Sequence, residues 1–223
     1  MNPNMISKDT IGILLNVIYF KGQWRSKFQK RLTGDYDFHY ITEQGMQSKK
    51  IKMMRQLKKK FNYYENIESQ LLELDYSDNI YSMGFLLPKN RYNKIRVPEM
   101  GALLQQISEL KETELDVYVP KFTVRNKYEM KKPLSMLGLK SMFGRSCEFN
   151  GTSEPVFVNR VIQEAVIIVD EEGTEAAAAT AMAMYLNAGT EEKKLEFIAD
   201  HPFIYYIRHK PSNTIVFSGI YAK

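Results

Sequence analysis

"DEEGTEAAAATAMAMYLN", Asp170 to Asn187, is the stretch on which the fold of this 223-residue chain turns. Four consecutive alanines, Ala176 to Ala179, favour helix intrinsically. Just before them, Ala165 to Asp170 reads "AVIIVD", β-branched and apolar, the pattern of a buried strand. A strand that leads into a run with almost no side-chain volume needs a physical reason for the small residues.

Working outward, Ile11 to Phe20, "IGILLNVIYF", is nearly continuous apolar sequence and reads as a central strand buried on both faces. Asn16 in its middle is then a buried amide that must anchor a hydrogen-bond network. "YSMGFLLP" at Tyr81 to Pro88 and "LDVYVPKFTV" at Leu115 to Val124 read as strands, and Pro120 inside the second implies an edge, a bulge or a change of sheet. Met100 to Lys111 has helical spacing, with Leu103, Leu104, Ile107 and Leu110 on one face. Met130 to Phe143 reads as a second short helix, with Pro133 near its first turn. Pro202 to His209 and Thr214 to Ala222 read as late strands joined by the turn "KPSN" at Lys210 to Asn213. The sum is an α+β fold dominated by antiparallel sheet.

Composition narrows the function classes. Hydrophobic residues make up 44% of the chain, enough for a core, and the net charge of +5 does not by itself imply nucleic acid. Cys147 is the single cysteine, so no intrachain disulfide can form, which fits a reducing compartment. No apolar stretch has the length of a membrane span, and "MNPNMISKDT" has no signal-peptide pattern. The histidines, His39, His201 and His209, lack metal-ligand spacing with Cys147, and no nucleophile elbow or phosphate loop is present. No catalytic residue, metal or cofactor is expected. Cys147 beside Arg145 raises the idea of a reactive thiol, against the plainer reading of an inert one. Lys49 to Phe61, "KKIKMMRQLKKKF", could attract a polyanion such as a glycosaminoglycan, but reads first as a solvated strand pair with a charged turn. "NGT" at Asn150 to Thr152 is a glycosylation sequon, meaningful only in a secreted protein.

Several segments together resemble one family. "EEGTEAAAATA" at Glu171 to Ala181 looks like the hinge of a serpin, the segment that leads into the reactive-centre loop. "LLNVIYFKGQW" at Leu14 to Trp24, "VPKF" at Val119 to Phe122, "LGL" at Leu137 to Leu139 and "FIADHPFIYYIRH" at Phe197 to His209 are also similar to serpin segments, in the same order. The hinge and "ADHPF" most resemble the ovalbumin-type and poxviral intracellular serpins. The resemblance implies a serpin-like fold of antiparallel-rich sheets with an exposed loop at about 173–196. It also implies that residues 1–223 form a partial serpin domain, beginning at the third strand of the large sheet A and lacking the N-terminal helices.

It further implies a protease inhibitor rather than an enzyme. In an inhibitory serpin a protease cleaves the loop, is trapped as an acyl-enzyme, and is carried along as the loop enters sheet A as a new strand. Strand entry puts alternate residues into the core. Thr174, Ala176, Ala178, Thr180, Met182 and Met184 form an uncharged inward set, and Glu175 and Tyr185 belong to the outward one. The hinge is Gly173, Thr174, Glu175, Ala176, Ala177, Ala178, Ala179 and Thr180. Glu171 and Lys121 match the ion pair at the top of sheet A (the breach), with Trp24 the aromatic packed there. Asn16 matches the amide of the central shutter, where Gln163 stands in place of the family's usual histidine, a residue that bonds but does not titrate near neutral pH. Taking Gly173 as the fifteenth residue before the cut puts the reactive bond at Asn187–Ala188. Asn187 would suit an asparagine-specific cysteine protease. A register shifted to Leu186, or recognition of Tyr185, would suit a chymotrypsin-like serine protease. The expected partner is such a protease, with no nucleic acid or membrane, and the expected location is cytoplasmic (a host cell if the source is viral), with extracellular space the alternative. A non-inhibitory truncated serpin remnant or interaction module is the competing reading. Without the N-terminal helices, the apolar faces of Ile11 to Phe20 should lie against water or another chain.

Overall fold

The computed structural model describes residues 12–92, 95–144, 157–172 and 194–222. The strands, in chain order, are β1 (Ile13–Phe20), β2 (Gly34–Thr42), β3 (Gly45–Glu65), β4 (Ser69–Asp75), β5 (Tyr81–Pro88), β6 (Lys111–Pro120), β7 (Phe122–Glu129), β8 (Arg160–Val169), β9 (Glu196–Ile198), β10 (Phe203–His209) and β11 (Thr214–Tyr221). The helices are α1 (Met100–Ser108), between β5 and β6, and α2 (Lys131–Met136), after β7. The chain divides into two compact units, Met1–Lys21 with Phe122–Ile168, and Gly22–Lys121 with Val169–Lys223.

The first unit holds a three-stranded sheet in the order β1-β8-β7. β1 and β8 are parallel neighbours, in register from Ile13 opposite Arg160 to Phe20 opposite Ile167. β8, flanked on both sides, buries Ile162, Val166 and Ile167. β1 is an edge strand, and the expectation that it is buried on both faces is overturned: Leu14, Leu15, Val17 and Tyr19 are 47–58% exposed. The apolar run forms the expected strand, but burial depends on what lies against it. This exposure matches the second expectation, of an apolar strand left uncovered. The helical segment Met130 to Phe143 forms α2 and a short 3-10 turn, Ser141–Phe143, divided by Gly138 at φ +99°.

In the second unit the large sheet runs β11-β10-β5-β4-β3-β6-β9, with β2 paired to β3. β10 and β11 form the expected hairpin, and Asn213 takes the left-handed turn conformation at φ +50°. α1 lays Leu103 and Ile107 onto Leu71, Leu86, Ile204 and Tyr206, while Leu104 and Leu110 pack partly buried at the margin. Tyr206 lies against Gly84, where a Cβ would come within 1.9 Å of the ring. Pro120 ends β6 and β7 begins two residues later in the other sheet, so the change-of-sheet option is the one realised.

The basic segment Lys49 to Phe61 is not a strand pair with a turn. It lies within one 21-residue strand, β3, whose pairing with β6 shifts between Gln56 and Lys59. Lys58 sits at the irregularity with φ +49°, and its N–H donates to the buried Asp116 carboxylate at 2.7 Å. Lys50 and Lys52 pair with Asp37 and Asp35 across β2, at 2.8 and 2.9 Å, so two of the segment's seven cations have acidic partners there.

Candidate functional site

The best-defined polar cluster gathers where the chain leaves β8. Lys121 follows the proline that ends β6, and its backbone N–H donates to the Lys52 carbonyl at 2.8 Å, which fixes the residue at the sheet margin. Its Nζ donates to Glu171 Oε2 at 2.7 Å. The Thr33 hydroxyl, just before β2, donates to Glu171 Oε1 at 2.8 Å. Both carboxylate oxygens are therefore occupied. The Glu171 side chain is 5% exposed while that of Lys121 is 45% exposed, so a buried anion is held by a cation that reaches water. Burial alone pushes the Glu171 carboxyl up, and this is the largest single influence. The bonds from Lys121, the backbone and Thr33, with the Lys121 charge, outweigh it and hold the carboxyl below its usual value.

Trp24 fixes the neighbouring residue. Its indole N–H donates to the Asp170 carbonyl at 2.7 Å, and the ring is 3% exposed. It stacks on Tyr76 at 4.7 Å between centroids and 9° between planes, and meets Phe28 edge-on at 6.1 Å. Gly22 permits this packing, because a Cβ there would fall 2.4 Å from the Tyr76 ring. Burial pushes the Tyr76 phenol up, and its hydroxyl donates to Met83 Sδ at 3.6 Å. Glu172 forms a third tether, an ion pair with Lys30. Residues 170, 171 and 172 are thus each held by a different partner.

Trp24, Lys121 and Glu171, singled out from the sequence, are brought together here. Thr33, Lys30 and Tyr76 were missed. Thr33 and Lys30 stand 138 and 142 residues from their partners, and nothing in their local sequence marks them. Asn16 and Gln163 lie directly opposite each other in the β1–β8 ladder, on one face of the first unit's sheet. Asn16 is exposed, so the argument that a buried amide demands a partner no longer applies to it. The hinge residues Gly173 to Thr180, the bond Asn187–Ala188, Cys147 and the sequon at Asn150 lie outside the described residues. Among the described residues no cluster of His, Cys, Asp and Glu could hold a metal ion, and no helix is long and apolar enough to cross a membrane.

Comparison with known proteins gives one answer. The family model described as "Serpin (serine protease inhibitor)" matches residues 1–223. Leukocyte elastase inhibitor of Sus scrofa is 39% identical over 220 residues, covering 93% of this chain and 57% of that protein. An uncharacterized serpin-like protein of Acanthamoeba polyphaga mimivirus is 36% identical, covering 99% of this chain and 56% of that protein. Among solved structures, uncleaved ovalbumin superposes with a TM-score of 0.78 at 26% identity, over 99% of this chain and 56% of that one. A serpin of the trematode Schistosoma haematobium gives 0.81 at 25% identity, over 97% and 58%. The chain spans less than 60% of the length of each of these relatives. Its folded strands, its resemblance to serpins along its length and the matching family model agree: the chain belongs to the serpin family.

Proposed function

We propose that this chain is the loop-bearing part of a serpin-type protease inhibitor, in which the segment after Glu172 is cleaved at Asn187–Ala188 and inserts between β1 and β8. The observation that carries the reading is the parallel, directly paired β1 and β8. A chain that turns back after β8 runs antiparallel to both strands. Its insertion would replace one parallel ladder by two antiparallel ones, which are slightly more stable per residue and satisfy additional backbone groups. The inward set Thr174, Ala176, Ala178, Thr180, Met182 and Met184 carries no charge that would oppose entry. Glu171, Lys121, Thr33 and Trp24 act as the breach, fixing the end of β8 from which the moving segment swings. Asn16 and Gln163 act as the shutter pair that must separate for the strand to enter.

The target is a protease with an apolar pocket, or an asparagine-specific cysteine protease if Asn187 is read directly. No lysine or arginine lies between Gly173 and Glu192, which argues against trypsin-like targets. The names of the leukocyte elastase inhibitors support the apolar-pocket choice. With a single cysteine the chain has no intrachain disulfide to lose, and we extend the proposal to a cytoplasmic setting. Incubation with a protease panel tests the reading. A covalent complex surviving denaturing electrophoresis and a released peptide beginning at Ala188 are expected. A peptide beginning at Asn187 would move the register by one residue, and cleavage only outside Ala183 to Thr190 would overturn the assignment of the loop.

A second reading is a non-inhibitory serpin remnant acting as an interaction module. The exposed apolar side chains of β1, Leu15, Val17 and Tyr19 on one face and Leu14 on the other, favour it. Proteolysis of the loop with no covalent complex from any protease would select it.

A further inference from the structure

The sheet face that carries α1 continues past the helix. Leu86 on β5 stands opposite Ile204 on β10 and Leu71 on β4, and Pro88 is the next β5 residue on that face. α1 packs on Leu71, Leu86 and Ile204. Leu86, Ile204 and Pro88 also line a cleft of about 1100 Å³, together with Pro98 from the segment before α1 and Gln106 from α1 itself. Its lining thus reaches into the edge of the core, and its apolar side extends to Ile67 and Tyr92, 92% and 73% exposed.

The polar part of the lining is rich in donors. Lys89 pairs with Glu65 at 2.9 Å and Arg91 with Asp200 at 2.7 Å. One carboxylate does not exhaust the three N–H groups of an ammonium or the five of a guanidinium. Arg96 is exposed and has no acidic partner among the described residues. Glu68 is the single anion of the lining, against these three cations. Gln106 supplies the opposite need: its Oε1 is buried and accepts no hydrogen bond among the described residues. A buried acceptor left in this state gains from any ligand that brings an N–H.

We propose that this cleft binds the carboxyl-terminal end of a peptide whose last residue is apolar. Such an end carries on adjacent atoms the three groups that the cleft calls for. Its side chain lies over Leu86 and Ile204. Its carboxylate meets Arg96 and the remaining donors of Lys89 and Arg91. A backbone N–H reaches Gln106 Oε1. A fatty acid brings the apolar body and the carboxylate but no N–H.

The test titrates N-acetyl-leucyl-leucine into the full chain, read by calorimetry. Saturable binding that weakens with salt is expected. The same peptide amidated at its C-terminus should bind about tenfold more weakly, as should the free acid to Arg96→Ala. Glu68→Gln should tighten binding about threefold, because it removes the carboxylate that opposes the ligand's own. Gln106→Leu should weaken the peptide about tenfold and leave octanoate unaffected, while the melting midpoint of the free protein stays level or rises as the unpaired acceptor is removed. Absence of peptide binding would overturn the proposal, as would equal binding of the amidated peptide. Octanoate binding as tightly as the peptide would overturn it in favour of a fatty acid. Arg96 is on the surface, so its variant and the amidated peptide decide the matter if Gln106→Leu does not fold.

Discussion

Lys121→Met removes the cation that neutralises Glu171 and leaves a similar apolar stem in its place. The carboxylate, 5% exposed, would keep the Thr33 hydroxyl at 2.8 Å and little else outside the backbone. A hydrogen bond between charged groups contributes about 1.5–3 kcal/mol, and the half-exposed Lys121 head places this one at about 1.5 kcal/mol because water screens it. Stranding the buried anion adds part of its desolvation cost, for a total loss of about 2–3 kcal/mol at neutral pH. In a chain of this size that lowers the melting midpoint by about 5–10 °C. Glu171→Gln should cost only about 1 kcal/mol, since a neutral amide can still bond Thr33. The double variant should resemble Glu171→Gln, giving a coupling of about 2–3 kcal/mol, the whole of the Lys121→Met penalty. The pH dependence reverses between parent and variant. In the parent the folded carboxyl lies below its ordinary value of 4.5, so the pair stabilises above that pH and its contribution is lost as pH falls through the lower folded value. Without Lys121 the burial that pushes the carboxyl up prevails. The charge then destabilises the fold at neutral pH and protonation relieves it. Urea unfolding at about pH 7 and about pH 4 reads both effects. A Lys121→Met penalty that is the same at both pH values, or a double variant no more stable than Lys121→Met, would refute the reasoning.

Three further outcomes are expected. Gly84→Ala places a Cβ within 1.9 Å of the fully buried Tyr206 ring and should destabilise by about 3 kcal/mol in urea unfolding, with partial recovery in Gly84→Ala/Tyr206→Leu; a neutral Gly84→Ala would show that the ring moves freely. Thr174→Arg, at the first inward position of the proposed insert, should abolish covalent complex on a denaturing gel while leaving loop cleavage intact; trapping at the parent level would remove Thr174 from the inward set. Cleavage of the loop should raise the melting midpoint only a little, because β1 is uncovered and its sheet has three described strands; a large upward shift would mean that the sheet still stores strain.

Where a feature was set by local sequence, it was legible. The β-branched run before Asp170 and the apolar run ending at Phe20 are the parallel pair β8 and β1, because strand preference belongs to the residues themselves. Pro120 separates two sheets because its missing N–H cannot serve a continuous ladder. The helix at Met100 followed from spacing, and its inward face is the predicted one. The misreadings concern relations between distant residues. The Lys58 irregularity has no glycine to announce it; an aspartate more than fifty residues away receives its N–H. Thr33 joins the Glu171 cluster from a position with no periodic or motif signal.

Asn16 is the most instructive of these. Its strand neighbours are apolar, and from that alone a buried amide in need of bonds is expected. In the structure it lies opposite Gln163 on a strand whose large apolar residues are half exposed. Hydrophobic composition measures how much a strand gains from being covered; it does not supply the cover. A strand with four such side chains in water, and with β8 as its one neighbouring strand among the described residues, keeps a standing preference for another strand or surface. Under the proposed function the same preference acts on the opposite edge of β1, where the backbone groups now paired with β8 would instead pair with the incoming loop. Small side chains at alternate positions of Thr174 to Met184 then have a physical purpose, since an entering strand must pass between two already packed neighbours, and each added methylene on the inward face would raise the resistance to passage.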